Sequence, residues 1–202
     1  RSWPVCLMSQ ETMGLRAELP MDGHVGCLRF STDGHTLATS DGNKYLTLWA
    51  DKDLAGAWTK LVELETTGKV GCLAYHPTEQ RIATGDNGGM VIMWDLAAQQ
   101  WGHAKLGQMT AGDWVWGVSY SPDGHLLLTG EGNQFSHVGT IRLWDTSSGE
   151  QIRALKVETG SVRTLTYSLD GSFFVCGDNG KCITLWGVTA GTVGLTMQMG
   201  GA

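Results

Sequence analysis

The sequence predicts an all-β fold assembled from repeated four-stranded antiparallel units, and three observations carry the prediction. One unit recurs: VSYSPDGHLLLTGEGNQFSHVGTIRLWD, from Val118 to Asp145, has counterparts opening at Val25, Val70 and Val162. The valines that open the four copies, Val25, Val70, Val115 and Val162, lie 45, 45 and 47 residues apart, close to the period of about 40 to 45 residues of propeller blades. Each copy also closes on a tryptophan in the same place, at Trp49, Trp94, Trp144 and Trp186. The expected fold class is therefore a β-propeller of four-stranded antiparallel blades, with four complete blades plus an N-terminal half blade.

Within one unit the pattern reads strand, tight turn, strand, longer turn, strand. Val118 and Tyr120 alternate with polar neighbours, Ser-Pro-Asp-Gly follows, and Leu126 to Leu128 is apolar. Pro122 presets φ for the second position of the turn, and Gly124 accepts a positive φ. Residues 2 to 20 read as the tail of an earlier copy. There Val5 to Met8 is the third strand, Met8 replaces the tryptophan, and Gly14 to Leu19 is the outer strand. Full copies are expected at about 25–64, 70–110, 115–157 and 162–199, the last with an outer strand near Thr192 to Met199, all within one domain spanning 1–202. Trp58 and Trp101 begin outer strands, covering a blade edge or forming a peripheral patch, and the third copy lengthens its second hairpin from Glu131 to Gly139. Each blade is apolar on both faces, so a chain that starts mid-blade reads as a segment of a larger propeller, with closure of four blades alone as the alternative.

The chain resembles the WD-repeat β-propeller family over nearly its whole length, through Trp94-Asp95, Trp144-Asp145 and Gly23-His24. It departs from the pattern at Ala50 and Gly187, which follow the other tryptophans, and at Lys69, Trp114 and Ser161, which match His24. The resemblance implies a structural set of His24, Thr39, Trp49, Thr84, Trp94, Asp95, Thr129, Trp144, Asp145 and Trp186. The family's buried His, Ser/Thr, Asp, Trp network maps onto His24, Thr39 and Trp49, with Asn43 where its Asp stands. No copy completes it, so packing is expected to hold the blades more than the network does. The resemblance further implies a non-enzymatic protein–protein interaction scaffold. The alternative is a sensor or targeting propeller of a larger enzyme or motor complex.

Composition narrows the partners. The 202 residues are 42% apolar with a net charge of −6, which argues against a surface that tracks phosphates and hence against nucleic acid. The five cysteines form no CxxC, and Cys27 and Cys72 recur in register, a pattern of small buried thiols that points to a reduced, cytoplasmic setting. No apolar run approaches about 18 residues, so no membrane span is expected. GxSxG, HExxH and complete phosphate-loop patterns are absent, and the histidines at 24, 35, 76, 103, 125 and 137 are scattered. No catalytic residue, cofactor or metal site is expected.

Candidate partner-binding residues come from two places in the repeat. Asp41, Asp86, Glu131 and Asp178 stand in register where the second strand meets the following hairpin. Either they cap tight turns or they form an acidic arc, and Glu131 is too long for the same local turn. The starts of the innermost strands carry His24 and Gly26, Lys69 and Gly71, Trp114 and Trp116, and Ser161 and Arg163. The resemblance puts both sets on one face beside the channel. Trp114 and Trp116 either fill space between blades or serve as aromatic anchors. With Lys69, His137 in the long hairpin, and Arg163, these residues make the expected face for a protein or peptide partner, basic or amphipathic in character.

Overall fold

A computed structural model describes residues 5–8, 15–51, 57–97, 105–133, 135 and 137–188. Trp101, His103 and the strand expected near Thr192 to Met199 lie outside the described residues. All strand pairing within them is antiparallel. The strands β1 (Val5–Met8) and β2 (Leu15–Leu19) pair as a two-stranded sheet. The first four-stranded sheet follows, with β3 (Leu28–Phe30), β4 (Thr36–Ser40), β5 (Tyr45–Asp51) and β6 (Trp58–Glu65) side by side in chain order. The second holds β7 (Val70–Tyr75), β8 (Arg81–Asp86), β9 (Met90–Asp95) and β10 (Lys105–Thr110). The third holds β11 (Val115–Tyr120), β12 (Leu126–Glu131), β13 (Gly139–Asp145) and β14 (Gln151–Val157). The fourth shows β15 (Val162–Tyr167), β16 (Phe173–Asp178) and β17 (Ile183–Gly187). These are propeller blades, packed with β11 against both β7 and β15, and β7 also against β3.

The first hairpin of a sheet is set by its sequence. In three sheets a serine hydroxyl donates to the aspartate two residues on, Ser31 to Asp33, Ser121 to Asp123 and Ser168 to Asp170. The same carboxylates accept the backbone N–H of His35, His125 and Ser172. The intervening Gly34, Gly124 and Gly171 have φ of 75°, 78° and 71°, a region that a β-carbon disfavours.

Burial between sheets is apolar and alternates with the strand period. Ala38, Leu46, Leu48 and Leu64 of the first sheet meet Leu73, Ile82, Ile92 and Trp94 of the second. Behind that face, Cys72, Ala83, Val91 and Met93 meet Val118, Tyr120, Leu127 and Trp144 of the third sheet. Close approach depends on two in-register glycines. A β-carbon at Gly85 would lie 2.5 Å from Val115 Cγ1, and one at Gly130 would lie 2.5 Å from Val162 Cγ1. The first sheet has Ser40 there instead, and its hydroxyl accepts the Cys27 N–H and donates to the Val70 carbonyl, both at 3.0 Å. The strand β3 covers only Leu28–Phe30, where the sequence suggested a strand from Val25, although backbone hydrogen bonds continue from the Gly26 N–H to the Ser40 carbonyl and from the Ser40 N–H to the Cys27 carbonyl.

The four repeated tryptophans are buried, and three hold a threonine of the neighbouring strand. Trp49, Trp94 and Trp144 donate their indole N–H to the hydroxyls of Thr39, Thr84 and Thr129 at 2.9, 3.0 and 3.0 Å. In the fourth sheet Cys176 Sγ takes that place, 3.4 Å from Trp186 Nε1. The Thr–Trp half of the network is thus formed in three sheets, because it needs two residues and not four. His24, by contrast, is exposed. Asp95 accepts the N–H of Ala97, and Asp145 accepts those of Ser147 and Ser148, so the aspartates after two of the tryptophans cap turns. The hydroxyl and N–H donors of Ser147 and Ser148 hold the Asp145 carboxyl down at a pKa of about 2.

Candidate partner-binding face

In three sheets the innermost strand carries one residue more than its partner strand. The register passes from Val70 opposite Asp86 to Cys72 opposite Gly85, from Val115 opposite Glu131 to Gly117 opposite Gly130, and from Val162 opposite Asp178 to Thr164 opposite Gly177. Gly71, Trp116 and Arg163 are therefore the extra residues of three β-bulges in register. A bulge bends its strand and re-aims the side chain it carries. Two of these side chains are large, and they meet: the Arg163 guanidinium carbon lies 4.2 Å from the centroid of the Trp116 ring. Trp114 adds a ring 5.4 Å from Trp116 at 52°. All three are half-buried. Trp116 is fixed by its indole N–H, which donates to the Gly132 carbonyl. The lengthened hairpin stands alongside, with Phe135 81% exposed and His137 and Val138 exposed. Phe135 was not among the expected residues, although an aromatic in the lengthened hairpin was the available signal.

The acids behave differently from an exposed arc. Asp41, Asp86 and Glu131 are buried and Asp178 is half-buried. Asp41 accepts the Asn43 N–H at 2.8 Å, Asp86 those of Gly88 and Met90 at 2.8 and 2.9 Å, and Asp178 that of Cys182 at 3.0 Å. Thr67 donates its hydroxyl to Asp86 and Thr159 donates to Asp178, each from the segment arriving from the preceding outer strand. Glu131 takes the Gly112 N–H from the same place at 3.0 Å. Its extra length also reaches the Thr129 hydroxyl at 3.0 Å and an ion pair with Arg142 at 2.9 Å. Burial pushes the Glu131 carboxyl above its ordinary pKa, against the pull of the Gly112 N–H and Arg142. Asp86, Glu131 and Asp178 tie the arriving segment to the hairpin, and Asp41 braces its own hairpin through Asn43. The expectation of a basic partner drew on four acids in register, and three of them are buried.

Three lysines stand exposed near the hairpins and strand starts. Lys44 and Lys69 are exposed and line a groove of about 590 Å³ between the first and second sheets, with Asn43, Tyr45, Gly68 and Asn87. Lys69 is placed by its backbone N–H, which donates to Asn87 Oδ1 at 3.0 Å. Lys181 is exposed in the equivalent hairpin of the fourth sheet, with φ of 66°.

The WD domain, G-beta repeat family matches residues 16–50, 58–95, 104–145 and 149–187. The chain belongs to the WD-repeat family. Over 71 residues it is also 35% identical to the nuclear distribution protein nudF of Emericella nidulans, an alignment that covers 35% of this chain and 15% of that protein. WD-repeat domains generally act as protein-interaction scaffolds. Among its described residues no helix is long and apolar enough to cross a membrane.

Proposed function

We propose that this WD-repeat domain holds a partner polypeptide on the face carrying Lys69, Trp114, Trp116, His137 and Arg163, with Asp41, Asp86, Glu131 and Asp178 setting the loops beneath it. The observation that carries the reading is the pair of adjacent bulges, which bring Arg163 over the ring of Trp116 beside Trp114. Large aromatic rings and arginine, half-buried and held by local contacts, are the residues most often found at the energetic centre of an interface.

In the same reading, chain 1–202 is one segment of a larger propeller and works in a reducing, cytoplasmic compartment. The fourth sheet supports the first part. Gly177 stands in register with Gly85 and Gly130, yet among the described residues a β-carbon there would approach only Thr164 of its own sheet. Phe173 and Ile183, on the same face, are 45% and 46% exposed. Such a face suits another sheet of the same kind. The second part is supported by the cysteines, all five of which are free.

The test is quantitative affinity capture with the parent chain, Trp116→Ala and Trp58→Ala, each first matched to the parent by chemical denaturation. Polypeptides held by the parent and by Trp58→Ala should fall at least about tenfold with Trp116→Ala. Equal capture by all three, or loss with Trp58→Ala alone, would place the partner elsewhere.

A further inference from the structure

On the binding face the in-register acids of the hairpins turn inward, while the lysines of the hairpins and strand starts are exposed. Asp41, Asp86 and Glu131 point inward onto backbone N–H groups, Thr67 and Arg142. Lys44 and Lys69 stand exposed beside one groove, and neither takes part in an ion pair among the described residues. On the far side of the two tryptophans, Arg163 covers Trp116 and Lys181 stands exposed in the hairpin of the fourth sheet. Exposed acids do occur on this side: Glu65 stands opposite Tyr45 beside Lys44, and Glu158 directly precedes Thr159, so each lies at the outer edge of the face while the cations lie nearer the tryptophans in the chain order of the strand starts and hairpins. Asp22 lies in the segment leading into the first sheet, and Asp113 is occupied by the Trp114 N–H and Asn133. From the first sheet to the fourth the sequence of chemistry is cation, aromatic pair, cation.

From this order we infer that the polypeptide held on the face is an acidic segment with an apolar or aromatic centre, its carboxylates meeting Lys44 and Lys69 at one end and Arg163 and Lys181 at the other. The deduction rests on the preceding reading and adds the chemistry of the partner. An inward carboxylate bonded to several donors has its charge offset locally, whereas an exposed ammonium without an ion partner is free to meet an incoming charge. The Asn43 and Asn87 side chains along the same groove supply polar positions for the backbone of an extended segment. Contacts of this exposed kind steer association and choose the partner's sign more than they set affinity.

Two fluorescent probe peptides test the inference by anisotropy: six glutamates around a central leucine–phenylalanine pair, and the same peptide with lysines for glutamates. The glutamate peptide should bind the parent at least about tenfold tighter than the lysine peptide, and the preference should shrink as salt rises from about 0.05 M to about 0.3 M. The double variant Lys44→Ala/Lys69→Ala should lose about fivefold in affinity for the glutamate peptide at low salt. Both side chains are exposed and take part in no ion pair among the described residues, so the double variant should keep the parent's unfolding midpoint. Tighter binding of the lysine peptide, or a double variant that binds as the parent does, would overturn the inference. Displacement of the glutamate peptide by inorganic phosphate at low millimolar concentration would also overturn it, assigning the lysines to an isolated anion. Loss of both peptides' binding in Trp116→Ala, with no preference between them, would leave the aromatic face standing while the acidic segment failed.

Discussion

His76 shows how one side chain can join two sheets. Its Nδ1 accepts the backbone N–H of Glu79 at 3.0 Å and of Thr78 at 3.3 Å, and its Nε2 lies 3.2 Å from the Gly124 carbonyl of the third sheet. A carbonyl only accepts, so Nε2 carries the proton and the ring is neutral. Its edge rests on Tyr120, with centroids 4.9 Å apart. Burial lowers the His76 pKa, and Arg81 and His125 push the same way against Glu79 and the Gly124 carbonyl. Because the folded-state pKa is depressed, the unfolded chain binds more protons once pH drops below about 6.5. Stability from this residue is therefore fully present above that pH and is lost as pH falls through the lower folded value. Urea unfolding at pH 7.5 and at pH 5 should give a smaller fall in midpoint for His76→Phe than for the parent. An equal fall in both would remove His76 as the cause.

At the scale of the sheet, the glycines ending the second strands decide how near the next sheet can come. Gly130→Ala would press a methyl against Val162 and Leu165 and should cost about 1 to 3 kcal/mol, the usual range for overpacking. Gly177→Ala, in register but meeting only Thr164 among the described residues, should stay within about 0.5 kcal/mol of the parent. Chemical denaturation of the two variants checks the contrast, and equal losses would contradict the stacking. The strands and first turns were legible in the sequence because period-two alternation, Ser-x-Asp-Gly and the tryptophan spacing are local signals. The bulges were not. Gly71, Trp116 and Arg163 share no residue type, and a bulge is a mismatch between two strands that neither strand displays alone. The acids misled for a related reason. An aspartate before a hairpin reads the same whether it faces solvent or the N–H groups of an arriving loop, and only Glu131, too long for a local turn, hinted at the second role.

Across the whole molecule, the stacked sheets set the innermost strands β3, β7, β11 and β15 side by side, so residues at the same repeat position share one side of the array. Repetition thereby turns a position in the repeat into a surface: the starts of β7, β11 and β15 supply Lys69, Trp114, Trp116 and Arg163, and the hairpins supply Lys44, Lys181 and the loop with Phe135. The outer strands β6 and β14 turn largely polar residues outward instead. A scaffold of this kind needs no reacting group, only a rigid array whose variable positions converge. Hydrogen exchange on the domain, free and bound to a captured partner, tests that convergence most directly. Protection confined to residues 43–45, 67–71, 112–118, the hairpin between Glu131 and Gly139, residues 161–165 and the hairpin carrying Lys181 is the expected result. Protection concentrated on the outer strands β6 and β14, with none at the starts of β11 and β15, would contradict it.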